Sequence, residues 1–302
     1  MPTRLAYRQA AIRALGTLHT GTADAASTTG LLVLTTWPFK STVIQNERFE
    51  HWVIHPPDAA SATDRVRTVP NGGYDPITGG LTPDNTWTNA PDGEAVEVFG
   101  AADPDTVHRL INDALKLIPV SVEFTFTPVT AQARRHSLAA VAPWLTDPDD
   151  VYQVGYLSAS DARSDVDPFG RPVRGTVYER RGVVYLEGFS QPTDATVYVL
   201  ARRSAYTYCT PAAGVFGDQS GLSLETDQAA VEEDVVAAGV KMLYWDAARE
   251  ELWPGDLQTA ELKVAQAAAR FWALVGDYWR EPGRSFVPLA RFGTASYGAR
   301  PF

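Results

Sequence analysis

The chain has 302 residues, of which 26 are Lys or Arg and 36 are Asp or Glu, so its formal charge is −10. A hydrophobic content of 45% suffices for a folded core, while an acidic chain without a Lys/Arg-rich run is a poor general binder of nucleic acid or anionic membranes. The single cysteine excludes an internal disulfide framework and a zinc site built from several cysteines.

The length suits one large domain or two small ones, at about 100–200 residues per domain. No stretch reaches the roughly 18 consecutive apolar residues of a membrane span. Residues 1–16 spread Arg4, Arg8 and Arg13 among apolar residues instead of placing the charges before an apolar block. We therefore expect no secretion signal, synthesis in the cytosol and no membrane partner.

The amino-terminal segment predicts a helix over residues 3–18. Apolar residues recur there at helical spacing on one stripe, and the three arginines are assigned to positions off that stripe. This is the pattern of an amphipathic helix with one buried face. The stripe consists of Leu5, Ile12, Leu15 and Leu18.

Residues 42–100 predict strands that are separated by long turns. The strand signals fall at residues 49–55, 64–69 and 95–99, and glycine-rich turns lie between them. Residues 56–93 hold little apolar material to bury. We therefore predict that they form a projecting β-arm or a long loop.

Asp103-Pro104 opens the clearest helix of the chain, since Asp is a favoured N-cap and Pro a favoured first helical residue. Apolar residues then recur every three or four positions until Pro119 ends the helix. Ordinary core packing explains this stripe. Its members are Val107, Leu110, Ile111, Ala114, Leu115 and Ile118.

Residues 120–221 contain several short segments with strand periodicity. The predicted strands are 120–129, 151–157, 173–178, 183–189 and 196–202, with turns such as Arg181-Gly182 between them. A run of short strands without intervening helices favours an antiparallel β-sandwich over a parallel sheet.

The last third of the chain returns to helical periodicity. Residues 226–250 predict one helix, capped by Thr226 or Asp227, and residues 258–279 predict a second helix after the turn 253–256. A short turn between two helices makes an antiparallel αα-hairpin. Tryptophans are frequent in this hairpin, and a subunit interface would explain them. They are Trp245, Trp253, Trp272 and Trp279.

Residues 282–302 differ from the remainder in charge. They carry three arginines and no acidic residue, which leaves 23 basic and 36 acidic residues, a charge of −13, for the rest of the chain. Disordered termini are poor in aromatic residues, so we predict an extended arm that orders on a partner, with an ordinary frayed end as the alternative. The residues assigned to that contact are Arg284, Phe286, Arg291, Phe292, Arg300 and Phe302.

Motifs for nucleotide binding, nucleophilic catalysis and metal binding are weak or missing. The sequence contains neither a phosphate-binding loop nor a nucleophile elbow. His51 and His55 are four residues apart, but on a strand that rises ~3.3 Å per residue they would lie about 13 Å apart. No third ligand is near them in the sequence, so they do not predict a metal site.

Two acidic clusters, at residues 147–150 and 161–167, lack the spacing of a calcium loop and are explained as solvated turns. A carboxylate pair for glycoside hydrolysis stays possible, because the two carboxylates of such a pair meet only in the folded chain.

Cys209, next to Tyr208, fits a buried structural thiol. The sequence therefore assigns no catalytic, cofactor-binding or metal-binding residue.

Five segments carry a family resemblance along most of residues 1–250. They read GTLHTGTADAASTTGLLVLTT, RTVPNGGYDPITGGLTPDNTWTNAPDGEAVEVF, PDTVHRLINDALKLI, SLAAVAPWLTDPDDVYQVGYL and VYLEGFSQPTDATVYVLARRSAYTY. In their order and character, these segments resemble the head-to-tail connector proteins, or neck adaptors, of tailed double-stranded DNA phages.

The resemblance implies an α+β fold in which a helical core is joined to an antiparallel β-sandwich. It implies a structural, non-enzymatic protein of the virion that assembles into a ring, usually a dodecamer, beneath the portal protein. Such a ring extends the DNA channel, lets DNA pass without specific binding and offers a platform for the next neck or tail component. In relatives a carboxyl-terminal arm docks on the portal, which implies that role for residues 282–302.

The expected organisation has four parts. They are a helical core (1–41, 101–119 and 222–281), strands with the projecting β-arm (42–100), a β-sandwich (120–221) and the extended carboxyl-terminal arm (282–302). A ring subunit needs two different contact surfaces, which the aromatic residues would supply. An acidic channel wall would repel passing DNA.

Two other functions stay open at this stage. One is a different neck or tail structure, such as a stopper or a tail terminator. The other is a β-sandwich module that binds or hydrolyses carbohydrate and stacks sugar rings on Trp52, Trp87 or Trp144.

Overall fold

A computed structural model describes residues 1–16, 18–34, 53–55, 66–75, 79–100, 102–127, 135–157, 171–172, 176–187, 196–211 and 214–280, excepting the side chains of 156–157, 171–172 and 278–280. These residues contain the helices α1 (Arg4–Leu15), α2 (Pro104–Leu117), α3 (Glu233–Ala247), α4 (Arg249–Leu252) and α5 (Leu257–Arg280). Helices and antiparallel sheets occur together, so the predicted α+β class is confirmed.

The strands are short. They are β1 (Leu18–Thr22), β2 (Val53–His55), β3 (Arg67–Thr68), β4 (Tyr74–Asp75), β5 (Gly80–Leu81), β6 (Ala95–Phe99), β7 (Pro119–Phe126), β8 (Arg135–Ser137), β9 (Val151–Leu157), β10 (Arg171–Pro172), β11 (Thr176–Arg180), β12 (Val183–Glu187), β13 (Thr196–Ser204), β14 (Cys209–Thr210) and β15 (Gln228–Ala229). Every pair of these strands that shares hydrogen bonds is antiparallel.

The described residues divide into two compact units. Unit 1 takes its residues from 1–115 and 209–274, and unit 2 takes its residues from 116–208 and 275–280. Unit 1 contains a four-stranded sheet in the order β1-β6-β2-β3. Strand β6 lies inside this sheet, where Glu97 is opposite Thr20 of β1 on one side and His55 of β2 on the other.

The core of unit 1 corrects the prediction of a projecting arm. Val69, Tyr74, Leu81 and Trp87 all come from the segment 56–93, and all four are buried in one cluster with Leu32. Each of these residues stands alone among polar and turn residues, so no window of the sequence is apolar enough to predict burial. The described part of the segment therefore belongs to the core.

The helices of unit 1 are held by local caps and by close packing. Thr3 and Asp103 cap α1 and α2 through hydrogen bonds from Ala6 N and Thr106 N. A Cβ atom added at Gly239 of α3 would lie 2.9 Å from Phe271 Cε2 of α5. Only glycine allows α3 and α5 to approach this closely.

Two predicted helix boundaries are wrong. Helix α1 ends at Leu15, and Leu18 belongs to β1, because Gly16 interrupts the helix. Helix α3 begins at Glu233 and not near Asp227, whose side chain instead accepts hydrogen bonds from Ser223 N and Leu224 N. The segment before α3 therefore folds as a turn and the short strand β15.

Unit 2 consists of a four-stranded sheet, β10-β9-β13-β7, and a three-stranded sheet, β11-β12-β8. Val154 and Val199 from the first sheet share one hydrophobic core with Val184 and Leu186 from the second. The turn between β11 and β12 places Arg181 and Gly182 at φ values of 57° and 76°. Two successive positive φ values match the twist of the strands that they join.

Candidate functional site

An ionic cluster lies inside unit 1, and we define it as Arg8, His55, Glu97, His108 and Glu225. Arg8 of α1 is 0% exposed. Its Nε donates to Glu97 Oε2 at 2.9 Å, and its Nη1 donates to Glu225 Oε1. The cluster thus joins α1 to β6 and to the turn before β15.

Glu97 is 3% exposed, yet it is held in its charged form by its neighbours. Besides Arg8, it faces His55 Nδ1 at 3.3 Å and accepts from Gln9 Nε2 at 2.9 Å. Burial alone raises the pKa of a carboxyl, but here the hydrogen bonds from His55, Arg8 and Gln9 and the charge of Arg8 outweigh it and bring the pKa of Glu97 to about 2.

His108 of α2 lies between two guanidinium groups. Its Nε2 is 3.0 Å from Arg8 Nη1, and its Nδ1 contacts Arg4 Nη2. Burial, followed by the charges of Arg4 and Arg8, lowers the pKa of His108 to about 3. A third positive charge is unfavourable there, so His108 is neutral at physiological pH.

The ionic cluster is better suited to holding elements together than to proton transfer. A general base works best with a pKa near the operating pH, and the pKa values of Glu97 and His108 lie near 2 and 3. The neighbouring pocket, which Thr20, Glu97 and Glu225 help to line, measures about 130 Å³. Pockets for small ligands typically measure about 300–1,000 Å³.

Sequence reasoning placed Arg8 off the apolar stripe of α1, and this was wrong. Arg8 follows Leu5 by three residues and precedes Ile12 by four, so it lies on the buried stripe. That spacing was the available signal. The partner of Arg8 was not predictable, because Glu97 lies 89 positions further along the chain.

A second candidate region lies on α5, which carries apolar residues on two opposite faces. Ala260, Ala267 and Phe271 form the buried face. We define the exposed seam as Leu262, Ala265, Ala269 and Trp272, all of which are exposed. At about 100° per residue, the centres of the two stripes lie about 160° apart around the helix.

The exposed seam has the spacing and the size pattern of a helix-packing surface. Its members follow one another at intervals of three, four and three residues, which is the seam spacing of paired helices. Leu262 is 57% exposed and Trp272 is 51% exposed. Two alanines lie between these large residues, so a second helix could approach the middle of the seam closely.

The tryptophans predicted for a subunit interface occupy different positions. Trp245 of α3 and Trp253 after α4 are half-buried and meet edge to face, with ring centroids 5.5 Å apart. Trp272 belongs to the exposed seam, and its ring centroid is 4.8 Å from that of Phe271. The side chain of Trp279 lies outside the described residues.

Of the other residues that the sequence singled out, some are buried or half-buried and the rest lie outside the described residues. Cys209 is buried, which confirms the predicted structural thiol. Trp87 is 3% exposed, so of the three tryptophans named for the carbohydrate-binding alternative this one has no exposed face for a sugar ring. Trp144 is half-buried beside Phe124. His51, Trp52 and residues 282–302 lie outside the described residues, as do Asp161, Asp165 and Asp167.

Within the described residues, no group of three or more His, Cys, Asp or Glu side chains could hold a metal ion. None of the helices in the described part of the chain has the length and apolar character needed to cross a bilayer. Comparison of the chain with protein-family models, curated proteins and solved structures found no match.

Proposed function

We propose that this chain is a head-to-tail adaptor of a tailed double-stranded DNA phage. It is a structural protein of the virion and not an enzyme. It forms a ring, usually a dodecamer in the family it resembles, that binds beneath the portal, extends the DNA channel and receives the next tail component.

The exposed seam of α5 is the observation that carries this proposal. A helix that is apolar on opposite faces is normally covered on both, and only one face of α5 is covered within unit 1. Exposed apolar stripes mark protein contacts. A ring subunit must contact its two neighbours through two different surfaces, so the seam fits one of them.

The occupant that we assign to the seam is a second copy of this chain. Two chains of charge −10 repel each other wherever acidic surfaces meet. Residues 262–272 of α5 contain no Asp or Glu, so two copies can meet along the seam without bringing acidic side chains of this segment together. The surface is thus favourable for self-association on both apolar and electrostatic grounds.

The arm 282–302 supports the contact with the portal through its charge. It carries three arginines and no acidic residue on a chain that is otherwise acidic. Charge of one sign confined to a terminus provides electrostatic complementarity to an acidic partner surface. We assign portal docking to Arg284, Phe286, Arg291, Phe292, Arg300 and Phe302.

The test measures the mass of the assemblies that the full-length chain forms in solution, by native mass spectrometry, and images them by electron microscopy. We expect closed rings with a central channel. The double variant Leu262→Ser/Trp272→Ser should yield monomers, because it removes both large apolar side chains of the seam. The matched control Val215→Ser/Leu257→Ser changes two exposed apolar residues outside the seam and should keep the rings.

A second part of the experiment tests binding to the portal protein. A chain that ends at Glu281 should still form rings but should no longer co-assemble with the portal protein of the same phage. A monomeric wild-type chain, or rings that persist in the seam variant, would contradict the role of the seam. Co-assembly of the truncated chain with the portal would contradict the role of the arm.

A further inference from the structure

A cluster of cations forms where α3 crosses α5 in unit 1. The close contact at Gly239 and Phe271 brings these two helices together. Lys263 and Arg270, seven residues apart, are both exposed on the same face of α5. Lys241 of α3 lies within electrostatic reach of both, since their charges act on it. We define the basic cluster as Lys241, Lys263 and Arg270.

Two charges of the basic cluster act on the third. Burial, followed by the charges of Arg270 and Lys263, lowers the pKa of Lys241. Gathering like charges costs free energy in the isolated chain, and a bound anion would remove that cost. The basic cluster is therefore unfavourable on its own and favourable in a complex.

Acidic side chains do not compensate the basic cluster within the described residues. No ion pair there involves Lys241, Lys263 or Arg270. Elsewhere in the chain, Arg135, Arg202 and other arginines do pair with carboxylates. The contrast is notable because acidic residues outnumber basic ones by 36 to 26.

Aromatic rings form one side of the basic cluster. Lys241 Nζ lies 4.4 Å from the ring centroid of Trp245, which holds the ammonium group by a cation–π interaction. Trp253 packs edge to face on Trp245. Both indoles are half-buried, so they leave apolar surface beside Lys241.

We propose that the basic cluster binds a carboxylate-rich segment of a partner protein, with Trp245 packing against the aliphatic part of that segment. This inference stands apart from the proposed adaptor function, since it uses a different surface and different residues. Three cations match a short run of Asp and Glu, and the indole surface suits the methylene groups of their side chains.

Nucleic acid is the other polyanion to consider, and the basic cluster fits it less well. Binding to the backbone of a nucleic acid depends on many phosphate contacts, on the order of 6–10 in a strongly salt-dependent binder. Here three cations stand on a chain whose formal charge is −10, which opposes the approach of a long polyanion. A short acidic peptide avoids this repulsion because it brings few charges.

The experiment measures binding of fluorescein-labelled hexaglutamate to the full-length chain by fluorescence polarisation at low salt. Hexaglutamine and a 12-nucleotide oligothymidine of the same label serve as comparison probes. We expect hexaglutamate to bind with a Kd below about 1 mM, to bind at least tenfold more tightly than hexaglutamine, and to weaken as salt increases.

The double variant Lys263→Glu/Arg270→Glu should bind hexaglutamate at least tenfold more weakly than the wild-type chain. Arg109→Glu is the matched control, because Arg109 is an exposed arginine of unit 1 on another helix. It should stay within twofold of the wild-type chain. Circular dichroism melting of both variants checks that they fold.

Three results would overturn the proposal. They are equal hexaglutamate binding by the wild-type chain and the double variant, no hexaglutamate binding by the wild-type chain, and tighter binding of the oligonucleotide than of hexaglutamate. None of these results bears on ring formation. The adaptor proposal and this one therefore fail separately.

Discussion

The ionic cluster and the basic cluster of unit 1 use charge in opposite ways. In the ionic cluster, the buried guanidinium of Arg8 is matched by the carboxylates of Glu97 and Glu225. In the basic cluster, Lys241, Lys263 and Arg270 form no ion pair with a carboxylate of the described residues. Both clusters depend on helices of the same unit.

The difference shows how to distinguish a structural charge from a binding charge. A buried charge persists only if opposite charges and hydrogen bonds compensate its loss of water. A group of like charges without ion-pair partners is tolerated only where water solvates it, and at such a place it is accessible to a binding partner. Removing a charge should therefore weaken folding in the first cluster and leave folding intact in the second.

The largest effect is expected for Arg8→Met. This change leaves the carboxylate of Glu97 buried without its cation, so the free energy of unfolding should fall by about 3–5 kcal/mol. Urea denaturation followed by circular dichroism measures it. Arg13→Met on the same helix is the control, because Arg13 is exposed and should change the value by less than about 0.5 kcal/mol.

The double variant Arg8→Met/Glu97→Gln sharpens this test. Removing the carboxylate charge as well should recover part of the loss, since the two residues share one interaction. Equal losses for Arg8→Met and Arg13→Met would mean that the ionic cluster contributes nothing specific to folding.

A smaller effect is expected from acidification. The pKa of His108 is about 3 in the folded chain, below the ordinary 6.5, so its contribution is complete above pH 6.5 and is lost as the pH falls toward 3. The pKa of Glu97, about 2 against an ordinary 4.5, acts in the same direction below pH 4.5. His108 alone should lower the free energy of unfolding by about 2 kcal/mol between pH 7 and pH 5.

Urea denaturation at pH 7 and pH 5 measures this loss, and His108→Gln tests its origin. The variant has no group that titrates at position 108, so its free energy of unfolding should change less between the two pH values. The same change in the variant and in the wild-type chain would assign the pH dependence to other residues.

The smallest effect is expected for Lys263→Gln/Arg270→Gln. These substitutions remove the repulsion on Lys241, so the free energy of unfolding should stay the same or rise by up to about 0.5 kcal/mol. The measurement is again urea denaturation. A loss of more than about 1 kcal/mol would show that the basic cluster stabilises the fold and would erase the contrast with the ionic cluster.

Local signals were sufficient for several elements. Strands β6 and β9 have the predicted bounds, and α5 begins and ends within one residue of the prediction. Their patterns repeat over five or more residues, and turn residues mark their ends. Asp103 caps α2 as predicted because the cap depends only on the next three residues.

The wrong predictions concern residues whose surroundings come from distant parts of the chain. Arg8 is buried because Glu97 and Glu225 reach it from other elements. Trp87 is buried in a cluster that also contains Leu32 and Ile54 from other segments of the chain. A single charged or aromatic residue in a polar window carries no periodic signal, so only the packed structure reveals its place.

The amino-acid sequence determined the α+β class, the helix over residues 258–279 and the division of charge between the last 21 residues and the rest of the chain. These properties depend on residues that are near one another in the chain. Only the tertiary structure decided which apolar stripe of α5 is buried and which cations form ion pairs with carboxylates. Packing and charge pairing depend on distances in space, and those distances join positions that lie up to 217 residues apart in the ionic cluster.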